Sequence, residues 1–317
     1  MKYDVAALGE LLIDLTENGT SEQGNPLFEA NPGGAPANVL AMLSKLGRNC
    51  AFIGKVGKDN YGNILADTLS EAGIDIQGLR RDEIIPTTLA IVHLSPGGER
   101  DFSFYRKPGA DIMLAPEELD HAIIGNCRIF HFGSLSLTDE PSKTATMAAI
   151  KEAKEAGALI SFDPNLRPPL WRNDEQAKAE ISWGLSQCDI LKIADNELVF
   201  MTGEKDIRRG SEMLRAQYPN IRLMNVTLGA DGAIAYYGDI VEAMPGITPG
   251  VTVDTTGAGD TYCGCVLNYV LEHGLDDLTP DDLKEMMRFA NAAAYLVTTK
   301  RGAIKSMPDI EQIKKLL

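Results

Sequence analysis

Short apolar runs of strand length alternate with stretches of helical periodicity along most of this chain, and no other property of the sequence limits the fold as strongly. YDVAALG is followed by a helical pattern from Ala37 to Leu46, and CAFIGKVG by another from Tyr61 to Ala72. The rhythm resumes with RIFHFG at 128–133, a helical stretch from Ser142 to Ala156, and ALISFD at 158–163. DILKI (189–193), IRLMNVTLG (221–229) and GAIAYYG (232–238) continue the strands, and helical patterns return from Ala258 to Glu272 and from Pro280 to Thr299. Strands separated by helices pair in parallel, because a parallel neighbour needs a long crossover whereas an antiparallel one needs only a turn. The expected class is therefore α/β, a mostly parallel sheet flanked by helices.

One region departs from this rhythm. Within residues 81–107, TTLAIVHLSPGGERDFSFYR shows two alternating strands about a Pro-Gly-Gly turn with no helix between them, which predicts an antiparallel hairpin. The loop-rich stretch 14–33 is equally poor in helix. A small β-rich lid over the sheet, built from about 14–33 and 81–107, is expected from both segments. There is no Ser-, Gly- or Pro-rich linker and no internal repeat, so 1–317 is expected to form one unit.

Composition excludes several kinds of work. The chain carries a formal net charge of −15, which opposes broad attraction to nucleic acid or to an anionic membrane surface, and neither is an expected partner. The opening MKYDVAALGELLIDL is interrupted by Asp4, Gly9, Glu10 and Asp14, unlike the unbroken apolar core of a signal peptide, and no span reaches membrane length. The five cysteines are an odd number, and Cys50, Cys127 and Cys188 are far apart, so reduced core thiols in a cytoplasmic protein are expected rather than a disulfide framework. Cys263 and Cys265 have no neighbouring Cys or His cluster to complete a metal site, and the four histidines form no ligand spacing.

The stretch most suggestive of chemistry is DTTGAGDTYCG, Asp254 to Gly264, preceded by the strand-like ITPGVTVD and followed by an apolar helix. Gly257 and Gly259 permit close approach of backbone N–H groups to a ligand, and the helix start adds unpaired N–H groups and a positive dipole end. Together these make an anion hole. Asp260 stands beside it, where it would repel a bound phosphate unless it had a task. Taking the proton from an acceptor hydroxyl is such a task in phosphoryl transfer. Stabilising the first helical turn is the competing structural role.

Two longer motifs bracket this reading. PGGAPANVLAMLSKLG (32–47) with FIGKVGKDNYG (52–62) resembles the N-terminal signature of the ribokinase/PfkB-family sugar kinases, and VDTTGAGDTYCG (253–264) resembles their C-terminal one. FSFYRKPGAD (102–111), SFDPNLRPPLW (161–171), KIADNELVFMTG (192–203) and VTLGADGA (226–233) are similar to the intervening landmarks, in order. The resemblance spans essentially the whole chain and is greatest to the fructokinase branch. It implies a ribokinase-like, Rossmann-type three-layer core with a β-lid over a sugar site, in agreement with the hairpin read independently. It implies ATP as the phosphoryl donor, with Mg²⁺, and a K⁺ ion near the loop.

By the same resemblance Asp260 is the general base, and the N–H groups of Gly257, Ala258 and Gly259 cradle the transferring phosphate. Asp14 and Asn38 match positions that bond sugar hydroxyls, with Gly33 and Gly34 giving backbone access. Tyr105, Arg106 and Arg167 match substrate-side positions of the fructokinase and 2-keto-3-deoxygluconate kinase branches. Because Tyr105 and Arg106 alternate on a strand, one of them faces the site, and a structural salt bridge competes for Arg106. Glu197 matches the glutamate of an Asn-x-x-Glu motif that organises Mg²⁺ through water, although Ala194 replaces the asparagine. Thr227, Gly229, Gly232 and Asn291 resemble the nucleotide side, and Asp254, the Thr256 carbonyl and backbone near Arg301 and Gly302 a monovalent-cation site.

The leading expectation is thus an ATP-dependent fructokinase. A kinase of the same fold acting on 2-keto-3-deoxygluconate or a nucleoside is the alternative, and a noncatalytic sugar sensor conflicts with the intact Asp260 loop. Exposed lid strands predict a homodimer paired through the lid. G-x-x-x-x-G-K-[ST] and H-E-x-x-H motifs are lacking, as is a G-x-G-x-x-G after the first strand.

Overall fold

The computed structural model spans the 317 residues and describes all except 95–99 and the side chains of 93–102, so the Pro-Gly-Gly turn lies outside the described residues. In chain order the elements are β1 (Tyr3–Leu8), β2 (Leu12–Thr20), β3 (Pro26–Gly33), α1 (Ala35–Lys45), β4 (Cys50–Gly57), α2 (Asn60–Glu71), β5 (Asp75–Asp82), β6 (Leu89–Leu94) and β7 (Arg100–Tyr105). There follow α3 (His121–Ile124), β8 (Cys127–Gly133), α4 (Ser142–Glu155), β9 (Leu159–Asp163), α5 (Asp174–Gln187), β10 (Ile190–Ala194), α6 (Asp195–Thr202) and α7 (Ile207–Gln217). The chain closes with β11 (Leu223–Thr227), β12 (Gly232–Tyr237), β13 (Ile240–Pro245), α8 (Ala258–His273), α9 (Pro280–Thr298) and α10 (Ile310–Leu316).

The large sheet has nine strands in the order β13-β12-β11-β10-β9-β8-β1-β4-β5. Every neighbouring pair from β11 to β5 is parallel, and β12 and β13 continue antiparallel at one edge. Burial on both faces explains why the central strands are nearly unbroken apolar runs. Along β1, Val5 and Ala7 face a core shared with α1, α2 and α8 to α10, while Ala6 and Leu8 face a second core shared with α3 to α7. Three layers result. The chain leaves β1 toward β4 and β5 on one side and later builds β8 to β11 on the other, so the strand order reverses at β1. In open α/β sheets the crevice beyond the strands' carboxyl ends at such a reversal is where ligands bind.

A second, four-stranded sheet, β3-β2-β6-β7, stands over those carboxyl ends. β6 and β7 pair antiparallel as the hairpin reading expected, and β2 joins β6 in parallel. The lid begins at Leu12, two residues earlier than expected, and residues 81 and 82 belong to β5 in the large sheet. The strand-like ITPGVTVD is not a strand: β13 ends at Pro245, and an irregular segment leads to α8, where Pro249 and Gly250 interrupt pairing. No helix of the described residues is long and apolar enough to cross a membrane.

Candidate functional site

A cavity of about 410 Å³ lies between the lid and the carboxyl ends of the large sheet. The turn between β1 and β2 delivers Glu10 to it, β2 delivers Asp14, and β7 delivers Phe104. The segment after β9 adds Asn165 and Arg167; β10 and the start of α6 add Lys192, Ala194 and Glu197. A second cavity, of about 210 Å³, is lined by Thr227, Gly229, Gly232, Ile247, Asn291 and Tyr295 among others, without a charged side chain. Thr255 and Gly259 line both cavities, so the glycine loop is their common wall.

The loop has the conformation that its glycines allow. Gly257 sits in the left-handed region at φ 79° as the residue preceding α8, where a side chain would meet Ala303 Cβ at 2.7 Å. A Cβ on Gly259 would lie 2.9 Å from the Lys192 ammonium. The loop thus presents backbone, a helix start and a buried cation to one place, the combination that holds a phosphoryl group. Asp254 anchors its entry: the carboxylate accepts Thr256 N–H at 2.8 Å and Gly302 N–H at 3.1 Å.

Asp260 follows the loop in the first turn of α8, 9% exposed, and its Oδ2 accepts Asn38 Nδ2–H at 2.7 Å. Burial, and then the negative charge of Asp163, push its carboxyl up to about 6, against the Asn38 bond and the positive charges of Lys192 and Arg167. A carboxylate so placed is ionised at neutral pH yet basic enough to take a proton. Lys192 is buried and bonds Asp163 at 3.1–3.2 Å; burial disfavours its charge, but Asp163, Glu197 and Asp260 outweigh this and hold the ammonium above its usual range. Sequence reading missed this pair: a lysine within the otherwise apolar ILKIA strand and an Asp ending ALISFD hint at buried charge but not at which group compensates it.

The sequence-predicted residues fall into groups. Asp14, Gly34, Asn38, Arg167, Glu197, Thr256, Gly257, Gly259 and Asp260 line the larger cavity. Thr227, Gly229, Gly232, Asn291, Ala258 and Gly259 line the smaller one. Gly34, at φ 128°, has no room for a side chain against the Glu10 carbonyl, and Gly33 leaves space beside the Asp14 carboxylate, 2.7 Å from where its Cβ would stand. Tyr105 and Arg106 do not line the cavity: Tyr105 is 63% exposed, and Phe104 is the β7 residue that lines it. Strand parity decides this, since consecutive residues of β7 point to opposite faces. Arg106 leaves the strand and is buried in a pair with Asp111 at 2.7 Å, with further bonds to Thr138 Oγ1 (3.0 Å) and the Leu135 carbonyl (2.8 Å). It is the structural salt bridge.

Cation positions can be tested against these contacts. Glu197 Oε1 accepts Leu166 N–H at 2.7 Å and Oε2 accepts Ala194 N–H at 2.8 Å, so each oxygen keeps one lone pair for a further partner such as a metal-bound water. Burial pushes this carboxyl above its usual range, opposed by Lys192. The described residues contain no cluster of three or more His, Cys, Asp or Glu able to hold a metal. This fits Mg²⁺ carried by nucleotide phosphates and reached through water. Asp254 fits a monovalent ion differently, as a buried negative charge that fastens the loop to the 301–302 turn.

The model of the pfkB family carbohydrate kinases matches residues 2–310, and the chain belongs to that family. It is 43% identical over 315 residues to probable fructokinase-2 of Arabidopsis thaliana, an alignment covering 98% of this chain and 95% of that one. Among solved structures, fructokinase from Xylella fastidiosa with bound ATP superposes with a TM-score of 0.90 at 32% identity, covering 100% of this chain and 98% of the other. A double mutant of Vibrio cholerae fructokinase, bound to fructose, ADP and a potassium ion, gives 0.88 at 31% identity and covers 100% of this chain and 99% of that one. The mixed α/β architecture is the ribokinase-like fold of these neighbours.

Proposed function

We propose that this protein transfers the γ-phosphoryl group of ATP to a hydroxyl of D-fructose, with the sugar in the larger cavity and the nucleotide in the smaller. The observation that carries the reading is the position of Asp260, a buried carboxylate at the loop forming the wall between the two cavities. The sugar hydroxyl gives its proton to Asp260, and its oxygen bonds to the γ-phosphorus as the bond from that phosphorus to the bridging oxygen breaks and ADP leaves. N–H groups of residues 257–259 and the Lys192 ammonium hold the charge of the transferring group. Mg²⁺ bound with ATP would supply neutralisation of phosphate charge, with Glu197 orienting its water.

Fructose is favoured over 2-keto-3-deoxygluconate because Arg106 is committed to Asp111 and does not line the larger cavity, so it does not join Arg167 there in the guanidinium pair that suits a carboxylate. The names of the relatives and neighbours support the same choice. ADP release measured across fructose, ribose, 2-keto-3-deoxygluconate and adenosine tests the assignment: kcat/KM highest for fructose is expected, and a higher value for the keto acid would replace it.

Three subsidiary readings complete the proposal. K⁺ near Asp254 stiffens the loop. Residues 1–317 act as one unit that pairs with a second copy through the lid, whose strands expose Leu27, Phe28 and Tyr105. The five cysteines are free and buried, which supports a reducing compartment, the cytoplasm.

A further inference from the structure

Glu10 lies in the turn between β1 and the lid strand β2, 2% exposed, in the wall of the larger cavity. One oxygen has a clear duty: Oε1 accepts the Ala35 N–H at 2.9 Å, at the first residue of α1. That contact turns Oε1 toward the helix and leaves Oε2 buried with no hydrogen-bond partner. The same wall holds a second such atom. Asn38 gives its amide nitrogen to Asp260, and because a carboxylate only accepts, the orientation is fixed and leaves Oδ1 buried and unpartnered. Two orphaned acceptors on one cavity are a specific chemical demand, since native proteins pair nearly all buried polar groups. Phosphates and carboxylates bring acceptors, whereas a polyol brings O–H donors.

We propose that Glu10 is a substrate-binding residue, its Oε2 accepting a hydrogen bond from one particular hydroxyl of the sugar. The inference rests on the reading that the larger cavity takes the sugar. Burial pushes the Glu10 carboxyl up to about 7, against the Ala35 N–H, the residue's own backbone N–H and the charge of Arg106, so these partners do not make up for the water it has lost. Capping α1 does not account for the residue, because the cap uses Oε1 alone.

The test is a cycle between residue and hydroxyl. kcat/KM is measured for D-fructose and a series of singly deoxygenated fructoses with the wild type, Glu10→Gln and Asp14→Asn. Gln keeps an oxygen for the Ala35 N–H but places an NH2 group, which only donates, where Oε2 accepts from the sugar, and should lower kcat/KM for fructose about five- to tenfold. One deoxyfructose should escape this further loss, so the coupling is confined to a single position. An equal loss on every sugar would reduce Glu10 to a support of α1, and no loss on any would also overturn the proposal. If Asp14→Asn shows its own hydroxyl coupling while Glu10→Gln shows none, the cavity still takes the sugar and only this inference falls. If neither couples, the assignment of the cavity falls with it. A thermal melt accompanies each variant, and should Glu10→Gln not fold, Glu10→Asp, which keeps the carboxylate but shortens its reach, is read by the same coupling.

Discussion

At the level of single residues the proposed mechanism turns on Asp260 and its bond from Asn38, with the ionised carboxylate as the base. Asp260→Asn should lower kcat by roughly 10²–10⁴-fold with little effect on melting or nucleotide affinity, because the loop that grips phosphate is backbone; near-normal turnover in a folded variant would remove the base from the mechanism. The ionised form is the active one, so kcat/KM should fall as pH drops through about 6. The Asn38 N–H stabilises that ionised form, and Asn38→Ala should therefore move the acid limb to higher pH; a limb that stays in place or moves down would contradict the contact. Part of this scale is legible in sequence: the loop glycines and Asp260 follow from a local motif, and Thr227, Gly229, Gly232 and Asn291 of the smaller cavity from the family resemblance, whereas Ile247 and Tyr295 carry no such signal. Glu10, Asp163 and Lys192 are not legible, because a buried charge is recognisable only once the groups that compensate it are known, and these come from separate strands.

The elements show why Tyr105 and Arg106 mislead. Both occur in a motif with polar, reactive-looking ends, but which residue of β7 points inward is set by its pairing with β6, where Tyr105 stands opposite Leu89 and Phe104 opposite Ala90. Strands β5 and β13 are equally hard to read: DIQGLRRD and IVEAMP are edge strands with partial or alternating burial, and lack the apolar runs that mark the centre. The Arg106–Asp111 pair joins the end of β7 to the turn after it, both side chains almost wholly buried. Arg106→Leu, which strands the Asp111 charge, should cost about 3–5 kcal/mol in urea unfolding. Where that variant is still folded, its KM for fructose should stay near the wild-type value. A large KM change with unaltered stability would restore Arg106 to the sugar site. Asp254 joins elements in a comparable way, and Asp254→Ala should abolish any difference between rates in K⁺ and in a bulky organic cation at equal ionic strength. A K⁺ response that survived the change would place the ion elsewhere.

The whole molecule is a thick, twice-covered sheet with a thin second sheet above one edge of its strands, and the contrast between the two is thermodynamic as well as geometric. The core has buried side chains on both faces, whereas the lid leaves Leu27, Phe28 and Tyr105 in solvent. Sedimentation equilibrium at micromolar concentration should give twice the 34.3 kDa chain mass, and Phe28→Asp should shift it toward one chain; a wild-type monomer would end the pairing proposal. The α/β layering is visible in sequence because its alternation is repeated many times, while the lid depends on pairings between segments some seventy residues apart, Ile13 with Leu89 for instance. Thr255 and Gly259 belong to both cavities, so the two share one partition. A change there should disturb both cavities at once, whereas a change at the far ends, Glu10, Phe104 and Arg167 at one and Ile247, Asn291 and Tyr295 at the other, should disturb one cavity and leave its neighbour intact.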